Sequence, residues 1–166
     1  MKNSPPSLKL RRIKKIGIDA RFFGPKDKGL GRYSENLIRN LEKIDPSQKN
    51  QYFVFLQKNR FDDYKPQNPN FKKDLFENLS KYELDLMHFT YFKMPFFYGG
   101  KFIVTVHDLI TSHVGISKKM AYAIILRNTF KKAKGIIVVS ETIKKEILKK
   151  YHINPAKIKT IYEGVS

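Results

Sequence analysis

The sequence predicts an α/β domain of Rossmann-like, doubly wound type, a mostly parallel sheet with helices on both faces. Three observations carry that expectation. Short apolar runs at Ile16–Ile18, Tyr52–Leu56, Phe102–Val106 and Ile136–Val139 have the length and β-branched or aromatic content of strands covered on both sides. Between them lie segments whose apolar residues recur three or four positions apart, the helical period. Glycine, proline and asparagine punctuate most of the boundaries.

The elements follow in order. Residues 1–12 hold Pro5-Pro6 and then the start of a basic cluster, Lys9, Arg11, Arg12, Lys14 and Lys15, and read as a flexible basic lead-in to a domain spanning 13–166. Ile16-Gly-Ile18, closed by Asp19, is a strand running into the turn-rich Gly24-Pro-Lys-Asp-Lys-Gly29. Leu30, Tyr33, Leu37, Ile38, Leu41 and Ile44 form one face of a helix that stops before Pro46. Tyr52–Leu56 is the second strand, 59–71 an exposed loop, and Leu75, Phe76, Leu79 and Tyr82 a short helix. Strands follow at Leu84–Phe89 and Phe102–Val106, then a helix over Lys118–Lys134 halted by Gly135. Ile136–Val139 is a strand, Thr142–Tyr151 a helix with Glu141 at its start and lysines near its end, and Ile158–Tyr162 a last strand.

At 166 residues the chain suits one domain, and 41% hydrophobic residues exclude a wholly disordered one. Cysteine is absent, which excludes disulfides and thiolate metal sites. No apolar run approaches the roughly 20 residues of a membrane span, and the polar start has no signal-peptide core, so a cytoplasmic protein is expected. The net charge of +18 calls for anionic partners such as nucleic acid, lipid headgroups or phosphorylated substrates. Because lysine far outnumbers arginine, compositional drift in an AT-rich genome explains the charge equally well. Residues 117–135 combine Met120, Tyr122, Ile124, Ile125, Leu126 and Phe130 with Lys118, Lys119, Arg127, Lys131, Lys132 and Lys134. They read either as a helix lying on an anionic membrane or as one packed on the sheet with solvated cations.

In an open parallel sheet, ligands bind beyond the carboxyl ends of the strands. Those positions hold Asp19 and Arg21 with Gly29 and Gly31, then His88, His107 and Asp108, Ser140 and Glu141, and Glu163 with Gly164. Gly29 and Gly31 precede helical periodicity, where backbone N–H groups hold phosphate, although a simple turn has the same spacing. The familiar phosphate motifs do not fit. Leu30-Gly31 stands where a P-loop needs Lys and Ser/Thr, Ser34 replaces the third glycine of a dinucleotide fingerprint, and the second strand ends at Gln57 instead of an acid. His107 can donate to a hydroxyl or phosphate. Ser140 reads as a helix cap, a role compatible with ligand contact. No carboxylate stands at helical metal spacing from His88 or His113, so no metal is expected.

Six segments, Ile16-Gly-Ile-Asp-Ala-Arg21, Gly29-Leu-Gly-Arg-Tyr33, Asp85-Leu-Met-His-Phe89, Val104-Thr-Val-His-Asp-Leu109, Val138-Val-Ser-Glu141 and Tyr162-Glu-Gly-Val165, come in an order and spacing that resemble the amino-terminal domain of family 4 (group 1) glycosyltransferases. The resemblance implies the amino-terminal half of a GT-B fold, in which two Rossmann-like domains face one another across a cleft. It implies retaining transfer of a sugar from a nucleotide-sugar donor to a glycan or lipid-linked acceptor, without a cofactor or obligatory metal. Gly29 and Gly31 would then form a loop closing on the donor diphosphate, and His107 would reach a donor-sugar hydroxyl with Asp108 steadying its loop. Ser140 and Glu141 would line the cleft, Glu163 would stand at the domain boundary, and Arg21 and Arg32 would meet anionic groups. Ser166 departs from the aspartate usual at the family's last position.

The family's nucleotide-reading domain has no counterpart in the 166 residues, so the expectation is an acceptor-side domain inactive alone: half of a larger enzyme, one chain of a split one, or a natural single-domain form. Its expected partners are the sugar donor, the acceptor, a carboxy-terminal domain and an anionic membrane's inner face; nucleic acid is not expected. The contrasting reading is a non-catalytic basic α/β module that binds nucleic acid or anionic membrane.

Overall fold

The computed structural model describes residues 12–44, 50–95, 97–109 and 116–164, the side chains of 116–119 aside. Of the lead-in expected over 1–12, all but Arg12 lies outside the described residues, as do the final Val165 and Ser166. Among the described residues seven strands form one sheet: β1 (Lys14–Ala20), β2 (Asn50–Leu56), β3 (Phe71–Leu75), β4 (Leu86–Phe89), β5 (Phe102–Val106), β6 (Gly135–Val138) and β7 (Ile158–Thr160). Their spatial order is β3-β2-β1-β4-β5-β6-β7, and every pairing is parallel. The described residues also form three α-helices: α1 (Lys28–Ile44), α2 (Ile116–Lys132) and α3 (Glu141–Tyr151).

Alternation along the strands sends successive side chains to opposite faces and so divides the core in two. Tyr52, Val54 and Leu56 of β2 join Ile18 and Ala20 of β1 under Ile38 of α1. Phe53 and Phe55, one residue out of phase, join Met87, Phe89, Val104, Val106 and Val138 under Leu126 and Phe130 of α2 and Ile147 of α3. Helices therefore do cover both faces, as expected, with α1 alone on its side. Each large side chain buried this way, such as Phe55 or Phe89 at 0% exposure, contributes about 1.5–3 kcal/mol of transfer free energy.

Three expectations need correction. The stretch 59–71 is no plain exposed loop: Lys58–Asp63 is a 3₁₀ turn, Tyr64 is fully buried and Phe71 opens β3. The third strand escaped the sequence pattern because Phe71-Lys-Lys-Asp-Leu75 is mostly charged. As the outermost strand, it needs charges to discourage pairing with another chain. The short helix expected over 75–82 is a 3₁₀ segment, Phe76–Lys81. Gly135 does not end α2, which stops at Lys132; instead it opens β6, where a Cβ would stand 3.3 Å from Ile103 Cγ2.

Tyr64 is held in place by a buried carboxylate. Glu42 of α1 accepts from the Tyr64 hydroxyl at 3.0 Å, from the Gln67 amide at 2.8 Å and from Arg39 at 3.4 Å. Burial first, and then the charge and hydrogen bond of Glu42, push the Tyr64 hydroxyl far above its ordinary range, so it stays a donor. Replacing Glu42 by Ala leaves that buried hydroxyl unpaired, and urea denaturation is expected to show a loss of about 1–3 kcal/mol. Glu42→Gln, which keeps an acceptor, is expected to cost less.

Candidate active site

The site lies where β1 and β4 sit side by side but send their chains away in opposite directions, the point at which the strand order reverses. Thr90, 2% exposed and directly after β4, ties this point together. Its hydroxyl donates to the carbonyl of Asp19 at the end of β1 at 2.7 Å and accepts from Ser34 of α1 at 3.2 Å. Its own carbonyl lies 2.9 Å from Nε2 of His107, just past β5.

Gly29 and Gly31 do not form the loop expected of them. Pro25–Asp27 closes into a 3₁₀ turn, so the helix begins at Lys28 and both glycines fall in its first turn. The loop proper is held by Gly24, whose φ of 80° suits glycine and whose amide donates to the Gly31 carbonyl at 3.1 Å. Asp27 accepts from the Phe23 amide and pairs with Arg60 through two bonds of 2.7 and 2.9 Å, and this guanidinium holds its carboxyl below the usual range. The two glycines differ sharply in surroundings. A Cβ at Gly31 would stand 2.0 Å from the Gly24 carbonyl oxygen, whereas one at exposed Gly29 meets nothing within 4 Å. No acidic side chain occupies the first turn of α1, although Asp27, neutralised by Arg60, stands immediately before it and the Lys28 amide donates to the Pro25 carbonyl.

His107 is fixed from three sides. Nδ1 lies 2.7 Å from Oε1 of Glu163, Nε2 faces the Thr90 carbonyl, and the Tyr33 ring packs edge-on with centroids 4.6 Å apart. A neutral imidazole can donate to one of these acceptors at a time, and an imidazolium to both. The Tyr33 hydroxyl shares Thr105 Oγ1 with His88 Nε2, at 3.0 and 2.8 Å. Beside this network a cavity of about 530 Å³ runs along α1 and is lined by Gly29, Arg32, Tyr33, His88, Ile137 and Glu163 among others.

The structure thus brings Gly29, Glu163 and, behind Tyr33, His107 together. Arg21 is elsewhere: its guanidinium is bound to the buried Asp19 carboxylate at 2.8 Å, donates to the Lys93 carbonyl and lies over the Phe76 ring. It lines a separate cavity of about 490 Å³ with Lys58, Phe76 and Lys93, so its charge is largely matched within the protein. Ser140 caps α3 by accepting from the Ile143 amide at 3.2 Å, and Glu141 is exposed and paired with Lys144. Asp108 is exposed, and no hydrogen bond or ion pair to it occurs among the described residues; the loop it was expected to steady, 110–115, lies outside them. No three histidine or carboxylate groups among the described residues converge as a metal-ligand set.

Thr90, Thr105, Tyr33 and Ser34 were missed by sequence reasoning. Two of them left a signal: Thr105 interrupts the otherwise apolar run Phe102–Val106, and Thr90 directly follows Phe89. A polar residue inside or just beyond a buried strand needs a partner, and both have one.

Fold and site together define a Rossmann-like domain with a helix amino terminus and a histidine held in place beyond the strand carboxyl ends. The chain belongs to Glycosyltransferase Family 4, whose model matches residues 10–166. The seven-stranded architecture is consistent with the amino-terminal half of a GT-B fold. No curated protein matches the chain.

The buried His88 gives the site a pH signature. Burial first, with the His107 charge second, pushes it from 6.5 down to about 4. Between those values the unfolded chain binds a proton that the folded one refuses, so stability is lost as pH falls from 6.5 toward 4. The loss amounts to as much as roughly 3 kcal/mol. His88→Gln keeps a partner for Thr105 and removes the proton; its urea midpoint is expected to decline less than the wild type's over that range.

Proposed function

We propose that this domain forms the acceptor-side half of a retaining glycosyltransferase that uses a nucleotide-sugar donor and a glycan or lipid-linked acceptor. The observation that carries this reading is the open Gly29 at the amino terminus of α1, facing the cavity shared with Glu163 and backed by His107. As the sugar leaves its diphosphate, negative charge grows on the phosphate oxygens. The first-turn N–H groups of α1 and cations from a second domain offset it. His107 meets the sugar by exchanging the Thr90 carbonyl at Nε2 for a sugar hydroxyl, while Glu163 keeps Nδ1 and the ring's orientation. The donor is a substrate, and the reaction calls for no resident cofactor or metal.

Arg21 in this reading stiffens the end of β1, Ser140 and Glu141 set the start of α3 at the cleft's rim, and Asp108 acts through the loop that follows it. The acceptor brings the protein to the cytoplasmic face of an anionic membrane. Exposed Met120 and Ile124 on α2, with Phe97 at 66% exposure, suit such a surface better than the packed Leu126 and Phe130. No helix among the described residues is long and apolar enough to cross a membrane.

The two glycines supply the test. In protein joined to its second domain, Gly29→Ala is expected to raise stability by about 0.5–1 kcal/mol, as alanine does in a helix, and yet to lower kcat by obstructing the diphosphate. Gly31→Val is expected to lower stability through its clash with Gly24, so its activity alone decides nothing. His107→Ala is expected to lower kcat and, because it leaves the Thr90 carbonyl without its partner, to lower Tm as well. Wild-type turnover in both Gly29→Ala and His107→Ala, read as nucleoside diphosphate release, would overturn the assignment. The 166-residue chain alone is expected to fold and to transfer no sugar.

A further inference from the structure

The amino ends of the strands, opposite the proposed cleft, carry a second concentration of charge. α2 ends at Lys132 just before β6, and α3 ends at Tyr151 just before the turn that leads into β7. Between these ends lies a cavity of about 640 Å³ whose lining includes Arg127, Lys131, Lys150, His152, Asn154 and Lys157 and contains no carboxylate. No ion pair among the described residues involves any of its lysines or its arginine. Glu146, one helical turn before Lys150 on α3, is exposed and does not pair with it.

Cations at helix carboxyl ends are favourable in themselves, and part of this cluster has that duty. Lys157 Nζ donates to the carbonyls of Phe130 and Lys131 at 3.3 and 3.2 Å, closing the end of α2. Lys131 and Lys150 stand in the last turns of their helices. The dipole effect fades within one turn, however, and Arg127 lies more than a turn before the end of α2 while still lining the same cavity. His152, held at φ 49° as the left-handed residue after α3, also lines it. Helix capping alone does not gather an arginine, three lysines and a histidine around one carboxylate-free hollow.

We propose that this hollow is a binding site for a ligand carrying two or more phosphate charges, separate from the sugar-transfer cleft. Arg127 supplies the planar fork suited to a phosphate edge, Lys131 and Lys150 approach from the two helices, and Lys157 adds fixed positive charge at the base. A diphosphate ester in solution and a cluster of anionic lipid headgroups share this chemistry.

Titration of the full chain with inorganic pyrophosphate at low salt, followed by calorimetry, tests the site. The double variant Arg127→Glu/Lys150→Glu is expected to weaken binding by roughly tenfold or more. Both side chains are exposed, so the fold is expected to tolerate the change. Lys72→Glu/Lys101→Glu, an equal charge reversal at exposed positions outside the cavity, is expected to leave binding within about twofold of wild type. A parallel arm uses vesicles of phosphatidylglycerol mixed with phosphatidylcholine. Vesicle binding without pyrophosphate binding, lost in the first variant alone, supports the site with a lipid headgroup as its ligand. Pyrophosphate binding lost in that variant alone supports it with a soluble ligand. Equal weakening by both double variants, or no binding to either probe, overturns the proposal.

Discussion

Two neighbouring parallel strands that lead their chains in opposite directions leave a gap at their carboxyl ends, and in this protein the hydroxyl of Thr90 bridges it. The bond from Thr90 to the Asp19 carbonyl joins residues 71 positions apart, and it is made in a region with almost no access to water. In such surroundings a hydrogen bond is strong and an unpaired group is costly. The chains after β1 and β4 are therefore locked at one separation. The positions of α1, through Ser34, and of His107, through the Thr90 carbonyl, follow from that lock.

The histidine shows how such a lock fixes a side chain. Its ring is oriented by Glu163 from the end of the last strand and by Thr90 from the middle of the sheet, with Tyr33 from α1 pressed on its side. Three elements far apart in sequence thus agree on one ring orientation. Pre-organisation of this kind lowers the reorganisation needed when charge develops on a ligand. Glu163 is the exposed member of the group, so its constraint on the ring is the one most open to exchange with solvent.

The fold was legible because its signals were apolar. Phe102–Val106 and Tyr52–Leu56 stood out as buried strands, and the spacing of Leu30 through Ile44 marked α1. The charged edge strand Phe71–Leu75 gave no such signal, since its residues are chosen against unwanted pairing. The site was half legible. His107, Glu163 and Gly29 stand out in the sequence as polar or flexible residues at strand and helix ends, and the structure places them near one another. Arg21 was misplaced because sequence shows a free cation where the fold supplies Asp19 two residues earlier as its counter-ion. Thr90 and Ser34 were missed because their importance lies in what they join, and adjacency across seventy residues leaves no trace in local pattern.

The place of β1 has a consequence for how the chain assembles. It comes first in sequence yet lies inside the sheet, so it must accept β2 on one side and keep the other edge available until β4 emerges, well after β3. During that interval its inner edge is an open row of unpaired backbone groups, the condition under which nascent chains associate wrongly. β5, β6 and β7 each pair with the strand that precedes them in sequence, through connections shorter than the stretch between β1 and β4. The pairing of β1 with β4 thus closes the longest sequence separation between neighbouring strands of the sheet, and the residues around Thr90 are the ones that join its two sides.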